Sequence, residues 1–435
     1  MKKQCITTFE EAVQYLYQIP RFTGKNSMED TKRFLHRLGD PDQSMQVIHV
    51  AGTNGKGSVC AYLRSILEAA GKRVALFTSP HLTDVRERFV VGGEMVSKEA
   101  FLDAFLRVYE LVFQGEEEPD YHPTFFEYLF FMAMLLFSEE KPDFCILETG
   151  LGGRLDATNA VSAKKLCVIT HISLDHVEYL GDTVSLIAAE KAGIIRANTP
   201  VVFWDTCPET TAVFDEKALE LGAPAVSVSK RDYRLLSFRN KSIDFSVSTR
   251  YYKDISLCLH TAAAYQMENA ALAVRAIEEL DTAHSITVEQ IREGISGCFW
   301  AGRMEEILPQ VYVDGAHNED GVRAFLESVS LDGQAGRRSL LFSVVADKDY
   351  ERMIDQIVSA KLFDRFYLTH MTTGRAIPKE KLVACFGKYP DCHFRMYDTC
   401  GEALQAALGD RKADERLYIA GSLYLVGEIK ELCKR

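Results

Sequence analysis

At 435 residues the chain is too long for one ordinary hydrophobic core, and roughly 100 to 200 residues per domain suggests two or three domains, of which two are expected. A composition 47% hydrophobic and 26% charged is that of a globular protein, while a net charge of -12 with no lysine or arginine run argues against extended nucleic-acid binding and leaves any anionic ligand to local cations. Eleven cysteines without a CxxC pair give no closed disulfide framework and fit a reducing cytoplasm; no signal peptide is expected in residues 1–20, and the longest apolar stretch, 128–137, is far short of the roughly 20 residues that cross a bilayer.

That stretch is read as a buried helix, within a region from 46 to about 205 where short apolar runs alternate with helical patterns. Residues 46–51, 73–77, 144–148, 166–170 and 200–204 are predicted strands, and 58–70, 124–138 and 184–196 predicted helices. This is an α/β pattern: a P-loop-type, mainly parallel sheet with both faces covered and ligand loops at its strand ends. Residues 233–238 and 243–247 alternate around Asn240-Lys241 and predict a small antiparallel appendage. A long helix follows over 262–280, with Met267, Ala271, Val274 and Ile277 on one face. After Gly294–Gly297 the alternation resumes, with strands expected at 310–314, 339–344, 365–369 and 417–420 in a smaller α/β C-terminal domain. The expected division is 1–297 and 298–435, with a short hinge near 297–302 that keeps the domains facing each other.

The strongest chemical signal is Ile48-His49-Val50-Ala51-Gly52-Thr53-Asn54-Gly55-Lys56-Gly57-Ser58. An apolar strand runs into a glycine-rich turn with one lysine and then a helix, so backbone N–H groups, the ammonium and the helix dipole face one point, as a phosphate cradle requires. The motif is a variant: strict P-loop spacing wants glycine where Val50 stands and Ser or Thr where Gly57 stands. Glu148, ending the 144–148 strand ahead of the glycine-rich run Thr149 to Asn159, stands where a nucleotide enzyme would hold Mg²⁺. His176 follows the next strand of the same sheet, at the same edge. By residue type alone, Lys191 reads as a solvated helix lysine, Asn269 as an exposed helix residue and Asp314 as a strand-end cap.

Taken together, His49 to Ser58, Thr78-Ser79-Pro80-His81-Leu82, Leu147 to Asn159, Asp175-His176, Glu190 to Gly193, Gly302-Arg303-Met304-Glu305 and Asp314-Gly315-Ala316-His317-Asn318 resemble folylpolyglutamate synthase/dihydrofolate synthase, within the Mur ligase superfamily. The resemblance runs in order across nearly the whole chain, departing at Ala301, where the family commonly has proline. It implies that Asn54, Gly55, Lys56, Gly57 and Ser58 hold ATP phosphates, that Asn269, Arg303 and Asp314, with His317 nearby, complete the nucleotide site, and that Ser79, Glu148 and His176 ligate Mg²⁺. It also implies that Lys191 matches the lysine carbamylated by CO₂, which turns a repelling cation into an anionic oxygen ligand and needs the neutral amine. Thr124, Phe126, Glu127, Leu155, Asp156 and Ala157 resemble segments lining a dihydropteroate pocket; Arg86 and Arg88 are candidates to attract glutamate carboxylates.

The activity so implied is ATP-dependent ligation: a folate carboxylate becomes an acyl phosphate and L-glutamate's amine displaces phosphate, with Lys56, Arg303 and Mg²⁺ stabilising the transferring phosphoryl group and Lys191 and His176 beside it. Dihydrofolate synthesis from dihydropteroate is expected of the same chain, in the cytoplasm and as a monomer, with small-molecule partners and neither membrane nor nucleic acid. The rival readings are another Mur-type ligase acting on a cell-wall nucleotide and a nucleotide-binding regulator that has lost catalysis.

Overall fold

Every residue of Val47–Ala51 is buried, as a strand flanked on both sides and covered on both faces must be. In the computed structural model the described residues are 3–19, 26–114, 121–239, 241–331, 336–412 and 414–434; Asn240 of the predicted appendage turn lies outside them. The first sheet comprises β1 (Val47–Ala51), β2 (Val74–Phe77), β3 (Phe89–Val91), β4 (Glu94–Met95), β5 (Phe144–Glu148), β6 (Lys164–Ile169), β7 (Val201–Trp204) and β8 (Ala225–Val228). Their spatial order is β4-β3-β2-β5-β1-β6-β7-β8, parallel except at one edge, where β3 runs antiparallel to both β2 and β4. β1 sits between β5 and β6, so the chain switches sides of the sheet there. Loops that follow strands on either side of such a switch diverge and leave a crevice at the strand C-termini. Three loops meet at it: 52–58, 149–159 and 170–176.

The two faces are filled differently. On one, the helices Lys56–Ala69 and Gln266–Leu280 pack with a three-stranded antiparallel sheet of β9 (Tyr233–Arg239), β10 (Ser242–Thr249) and β11 (Lys253–Leu259). The appendage thus has a third strand that the sequence reading did not assign. The predicted helix 262–280 begins at Gln266, and it is buried all round rather than on one face, because the sheet and the appendage enclose it. On the other face, Phe125–Glu140 carries the 128–137 stretch, buried throughout; each large apolar side chain withdrawn from water there contributes about 1.5–3 kcal/mol. No helix among the described residues is long and apolar enough to cross a membrane. The predicted helix 184–196 ends at Ala192, where Gly193 caps it.

A second sheet contains β12 (Glu305–Leu308), β13 (Val311–Val313), β14 (Arg338–Phe342), β15 (Arg365–Thr369), β16 (Phe394–Tyr397) and β17 (Arg416–Ala420), in the order β12-β13-β17-β14-β15-β16. All its pairs are parallel except β12 with β13. Apolar clusters cover both faces, so this is α/β architecture again.

Candidate active site

The phosphate-type loop is held from below by the end of β6. The Thr53 and Asn54 N–H groups donate to the His171 carbonyl at 2.9 and 3.3 Å, and the Thr170 hydroxyl donates to the Asn54 carbonyl at 2.6 Å. Gly55 caps the Lys56–Ala69 helix at φ +87°, with the Asn269 amide occupying the space where a Cβ would lie. Asn269 is therefore buried against the loop rather than exposed. Gly57, the departure from P-loop spacing, also has a steric cause: the Trp300 indole comes within 2.8 Å of where its Cβ would sit. Ser or Thr at 57 would collide with this ring.

Two lysines converge on one carbonyl. Lys56 Nζ donates to Gly52 O at 3.1 Å and to Thr53 O at 3.1 Å, while Lys191 Nζ donates to the same Gly52 O at 2.7 Å. Lys191 is buried, and burial, then the neighbouring Lys56 charge, push its pKa down to about 7. A solvated helix lysine does not describe it. Glu148 ends β5 with Oε2 accepting the Ser79 N–H at 3.0 Å, and burial pushes its carboxyl up against the pull of Lys56. His176 adopts φ +51°, a backbone conformation costing a non-glycine residue of order 1 kcal/mol. Burial pushes its imidazole down to about 4 despite Asp175, so it is neutral at pH 7 and one ring nitrogen keeps a free lone pair for a ligand.

No three His, Cys, Asp or Glu side chains form a metal cage among the described residues. The available donors are instead a buried carboxylate, a serine hydroxyl and a neutral imidazole, a set compatible with a hard divalent ion that keeps several waters. As an ammonium, Lys191 would repel such an ion; as a carbamate it would add an oxygen ligand.

The second sheet contributes the other wall. Asp314, at the end of β13, is buried; its Oδ2 accepts from the Tyr265 hydroxyl at 2.6 Å and the Met304 N–H at 2.9 Å, and its Oδ1 accepts from the Ala316 N–H at 2.9 Å. It thus caps its own loop, while burial raises its pKa against the pull of Arg303. Arg303 donates to the Gly302 carbonyl at 3.0 Å. His317 is held by a 2.8 Å contact from Nδ1 to the Gly315 carbonyl, and burial, then Lys348, push it down to about 4. Beside it, Asp175 pairs with Lys348 and accepts from the Asn318 amide at 2.9 Å. Burial, the largest single influence, pushes the Asp175 carboxyl up, but the combined pull of its neighbours, Lys348 first among them, holds it well below the usual range. Asn318 also exchanges hydrogen bonds with Asn54, and Asp320 lies 3.1 Å from His171.

On the opposite flank, Thr124 and Glu127 form a capping box on the Phe125–Glu140 helix, and Glu127 Oε2 also accepts from the Asn26 amide at 2.7 Å. Both side chains therefore have local work as caps, worth about 1 kcal/mol. Phe126 lies with its ring over Gly150, 2.7 Å from the Cβ position, and 5.6 Å from the Phe77 ring, so it touches the glycine-rich loop directly. Asp156 is buried and organises that loop: Oδ2 accepts the Gly150 and Leu151 N–H groups, both at 2.9 Å, and Oδ1 accepts from Thr158. Ala157 opens the short turn Ala157–Ala160, and Leu155 is exposed. Arg86 is paired with Asp84 at 2.7 Å and Arg88 donates to His81 Nδ1 at 2.8 Å, so both arginines have local partners.

The sequence reading quoted Asp175 and Asn318 within motifs but gave them no role, and it passed over Lys348 and Trp300. The signal at Asp175 was its place at the end of a strand of the ligand-binding sheet, beside His176. A lysine flanked by Asp347 and Asp349 carries no signal of burial, and Lys348 becomes visible only when the two sheets meet.

Two family descriptions match the chain: Mur ligase middle domain over residues 50–277 and Mur ligase, glutamate ligase domain over residues 302–423. A dihydrofolate synthase/folylpolyglutamate synthase of Bacillus subtilis is 33% identical over 98% of this chain and 100% of its own length. A folylpolyglutamate synthase of Lacticaseibacillus casei is 31% identical, over 97% of this chain and 98% of its own. Among solved structures, Escherichia coli FolC in complex with DHPP and ADP superposes with a TM-score of 0.86 at 29% identity, covering 99% of both chains. Mycobacterium tuberculosis folylpolyglutamate synthase complexed with ADP gives 0.88 at 28% identity, covering 98% of both.

Proposed function

The chain belongs to the dihydrofolate synthase/folylpolyglutamate synthase family of Mur ligases, and on that premise we propose that it joins L-glutamate to folates in an ATP-dependent reaction through an acyl phosphate. The observation that carries the reading is the convergence of Lys56, Lys191, Glu148 and His176 at one sheet edge, faced by Arg303 and Asp314 from the second sheet. An acceptor carboxylate oxygen attacks the γ-phosphorus of ATP and ADP leaves. The glutamate amine then attacks the acyl carbon, phosphate leaves, and the amine loses its proton. Carboxylate is a poor electrophile, and phosphorylation supplies the leaving group, so no side-chain nucleophile is required.

We assign the loop from Asn54 to Ser58 to the ATP phosphates, with Lys56 as the phosphate cation, and Asn269, Arg303, Asp314 and His317 to the rest of the nucleotide site. Arg303 suits this because its guanidinium offers paired charged hydrogen bonds. Ser79, Glu148 and His176 would hold Mg²⁺, which when bound neutralises charge on the phosphates. Lys191, neutral in a large fraction of molecules near pH 7, meets the chemical condition for carbamylation by CO₂. Phe126, Thr124, Glu127, Leu155, Asp156 and Ala157 are assigned to the acceptor pocket, where dihydropteroate is a second acceptor. The division at 297/298, closure of the two units around the substrates, a monomeric state and a cytoplasmic location complete the reading.

A coupled assay of ADP release tests it, run with Mg²⁺, L-glutamate and, in turn, dihydropteroate, tetrahydrofolate or a cell-wall nucleotide. ADP release requiring both glutamate and a pterin acceptor is expected. Release driven by the cell-wall nucleotide alone would reassign the substrate, and formation of AMP and pyrophosphate would overturn the acyl-phosphate route.

A further inference from the structure

His49 is the one side chain of the phosphate-loop strand that is polar and wholly buried, and phosphoryl transfer gives it no task. Side chains alternate along a strand, so His49 shares the face of Val47 and Ala51, opposite Ile48 and Val50. Its Nε2 lies 2.8 Å from the Thr158 hydroxyl. That hydroxyl lies 2.6 Å from Asp156 Oδ1, whose partner oxygen holds the Gly150 and Leu151 N–H groups at 2.9 Å each. A hydroxyl has one proton. Asp156 accepts from four donors, so Thr158 spends its proton on the carboxylate and must accept from His49, which fixes the Nε2–H tautomer. Nδ1 is then a bare acceptor, and it is buried without a partner.

We propose that His49 is a positioning residue for the acceptor: through Thr158 and Asp156 it fixes the Gly150–Ala157 loop on the same strand that carries the ATP loop. The proposal rests on the reading that this loop lines the acceptor pocket. The relay is short and has no slack. A rigid strand donates to a hydroxyl, the hydroxyl orients a carboxylate, and the carboxylate sets two backbone N–H groups of a glycine-rich turn whose Gly150 lies under the Phe126 ring. Loss of the His49 donor leaves the Thr158 oxygen without its donor and lets the loop drift, while the ATP loop keeps its own anchors at His171 and Thr170. The effect therefore falls on the acceptor and not on the nucleotide.

The test compares steady-state constants of the full-length wild type with His49→Leu, His49→Gln and His49→Asn, together with Thr158→Val. His49→Leu is expected to raise the acceptor KM about tenfold, the size of one buried hydrogen bond, with the ATP KM and kcat changed by less than about threefold. His49→Gln, whose Nε2 reaches the same place, should restore the acceptor KM, whereas His49→Asn, whose amide stops at the Nδ1 position, should not. Thr158→Val, which also removes the hydroxyl donor of Asp156, should raise the acceptor KM at least as much as His49→Leu, and the double variant should be no worse than Thr158→Val alone, because both break the same relay. If His49→Leu does not fold, Thr158→Val carries the same criteria. An acceptor KM unaltered in both, or an ATP KM that rises equally, overturns the proposal. The wild-type run separates the two claims: if folate-dependent ADP release is absent, the assigned activity falls and the proposal with it, whereas release with an unaltered acceptor KM in the variants overturns the proposal alone.

Discussion

The side-chain amides of Asn54 and Asn318, 264 residues apart, exchange hydrogen bonds: Asn54 Nδ2 donates to Asn318 Oδ1 at 3.1 Å and Asn318 Nδ2 donates to Asn54 Oδ1 at 3.0 Å. Asn54 belongs to the phosphate-type loop and Asn318 to the loop after β13, so one reciprocal pair joins the two walls of the site. Asp175 extends it, taking the second Asn318 proton and pairing with Lys348.

Asn318→Ala should loosen this joint. Two hydrogen bonds to Asn54 and one to a buried carboxylate are lost, worth about 2 kcal/mol in the balance between closed and open arrangements. A larger radius of gyration by solution scattering and a kcat at least about tenfold lower are expected. An unchanged scattering profile together with unchanged turnover would mean that the pair does not hold the walls together.

Gly57→Ser should destabilise the fold by about 1–3 kcal/mol, since its Cβ meets the Trp300 indole 2.8 Å away. Adding Trp300→Ala should return part of the loss. Thermal unfolding of the single and double variants checks this, and a double variant less stable than the sum of the singles would refute the steric account.

Lys191→Ala should lower kcat by about a hundredfold or more if a carbamate on this lysine serves the reaction. Small carboxylates should return part of the activity, and depletion of CO₂ should lower the wild type but not the variant. Near-normal turnover of the variant without added carboxylate would refute the role.

Lys164 offers a pH-dependent test away from the chemistry. It is buried, its Nζ donates to Asn159 Oδ1 at 2.6 Å and to the Ile194 carbonyl at 3.0 Å, and burial lowers its pKa to about 7. Below pH 7 both folded and unfolded chains hold the proton, and the folded state bears the whole cost of the buried charge. Between about 7 and 10.5 only the unfolded chain binds it, so that cost shrinks as pH rises and is gone above 10.5. Both acceptors keep another donor, Arg196 at 2.8 Å and the Cys167 thiol at 3.2 Å. Lys164→Met should therefore be more stable than wild type by about 2 kcal/mol at pH 6, with a smaller advantage at pH 9. Urea unfolding at the two pH values measures it; a variant less stable at pH 6 would show that the lysine's hydrogen bonds outweigh its burial.

The strands that carry the site were legible because a doubly covered parallel sheet demands unbroken apolar runs: 144–148 and 365–369 coincide with β5 and β15. The third appendage strand, β11, was not, although Ile255, Leu257 and Leu259 alternate: the charged pair Lys253-Asp254 at its start and the apolar Cys258 between Leu257 and Leu259 blur the pattern in the sequence, and both starting residues are exposed. In the site, Lys56 and Glu148 could be seen from strand-then-loop order. Asn269 and Lys191 could not be read from residue type, since what makes each unusual is burial created by other segments: the Gly55 turn against Asn269, and the Gly52 carbonyl and Lys56 charge against Lys191. The Gly57 departure was visible as a departure, but its cause lies 243 positions away at Trp300, beyond the reach of any local pattern.

The acceptor pocket gives the last prediction: the protein turns over both dihydropteroate and tetrahydrofolate. The two reactions share ATP activation and glutamate attack but present carboxylates at different distances from the pterin, so the pocket wall must be firm at the ring and open along the tail. Phe126 supplies firmness, because its ring is wedged between Gly150 and Phe77. Asp156 cannot simply bind a pterin in place of its present partners, since both oxygens are committed to Gly150, Leu151 and Thr158. Its effect on the acceptor is therefore through the loop it shapes. Phe126→Ala should then raise the KM of both acceptors by a similar factor of about ten or more, since a ring contact of about 1.5 kcal/mol serves either one. Asp156→Asn, which turns an acceptor oxygen into a donor facing backbone N–H groups, should disturb the whole loop and cost more than Phe126→Ala with both acceptors. Turnover measured with each acceptor at saturating ATP and glutamate decides it. Product from tetrahydrofolate but none from dihydropteroate would leave chain extension alone, and an acceptor KM indifferent to both substitutions would move the pterin site away from this loop.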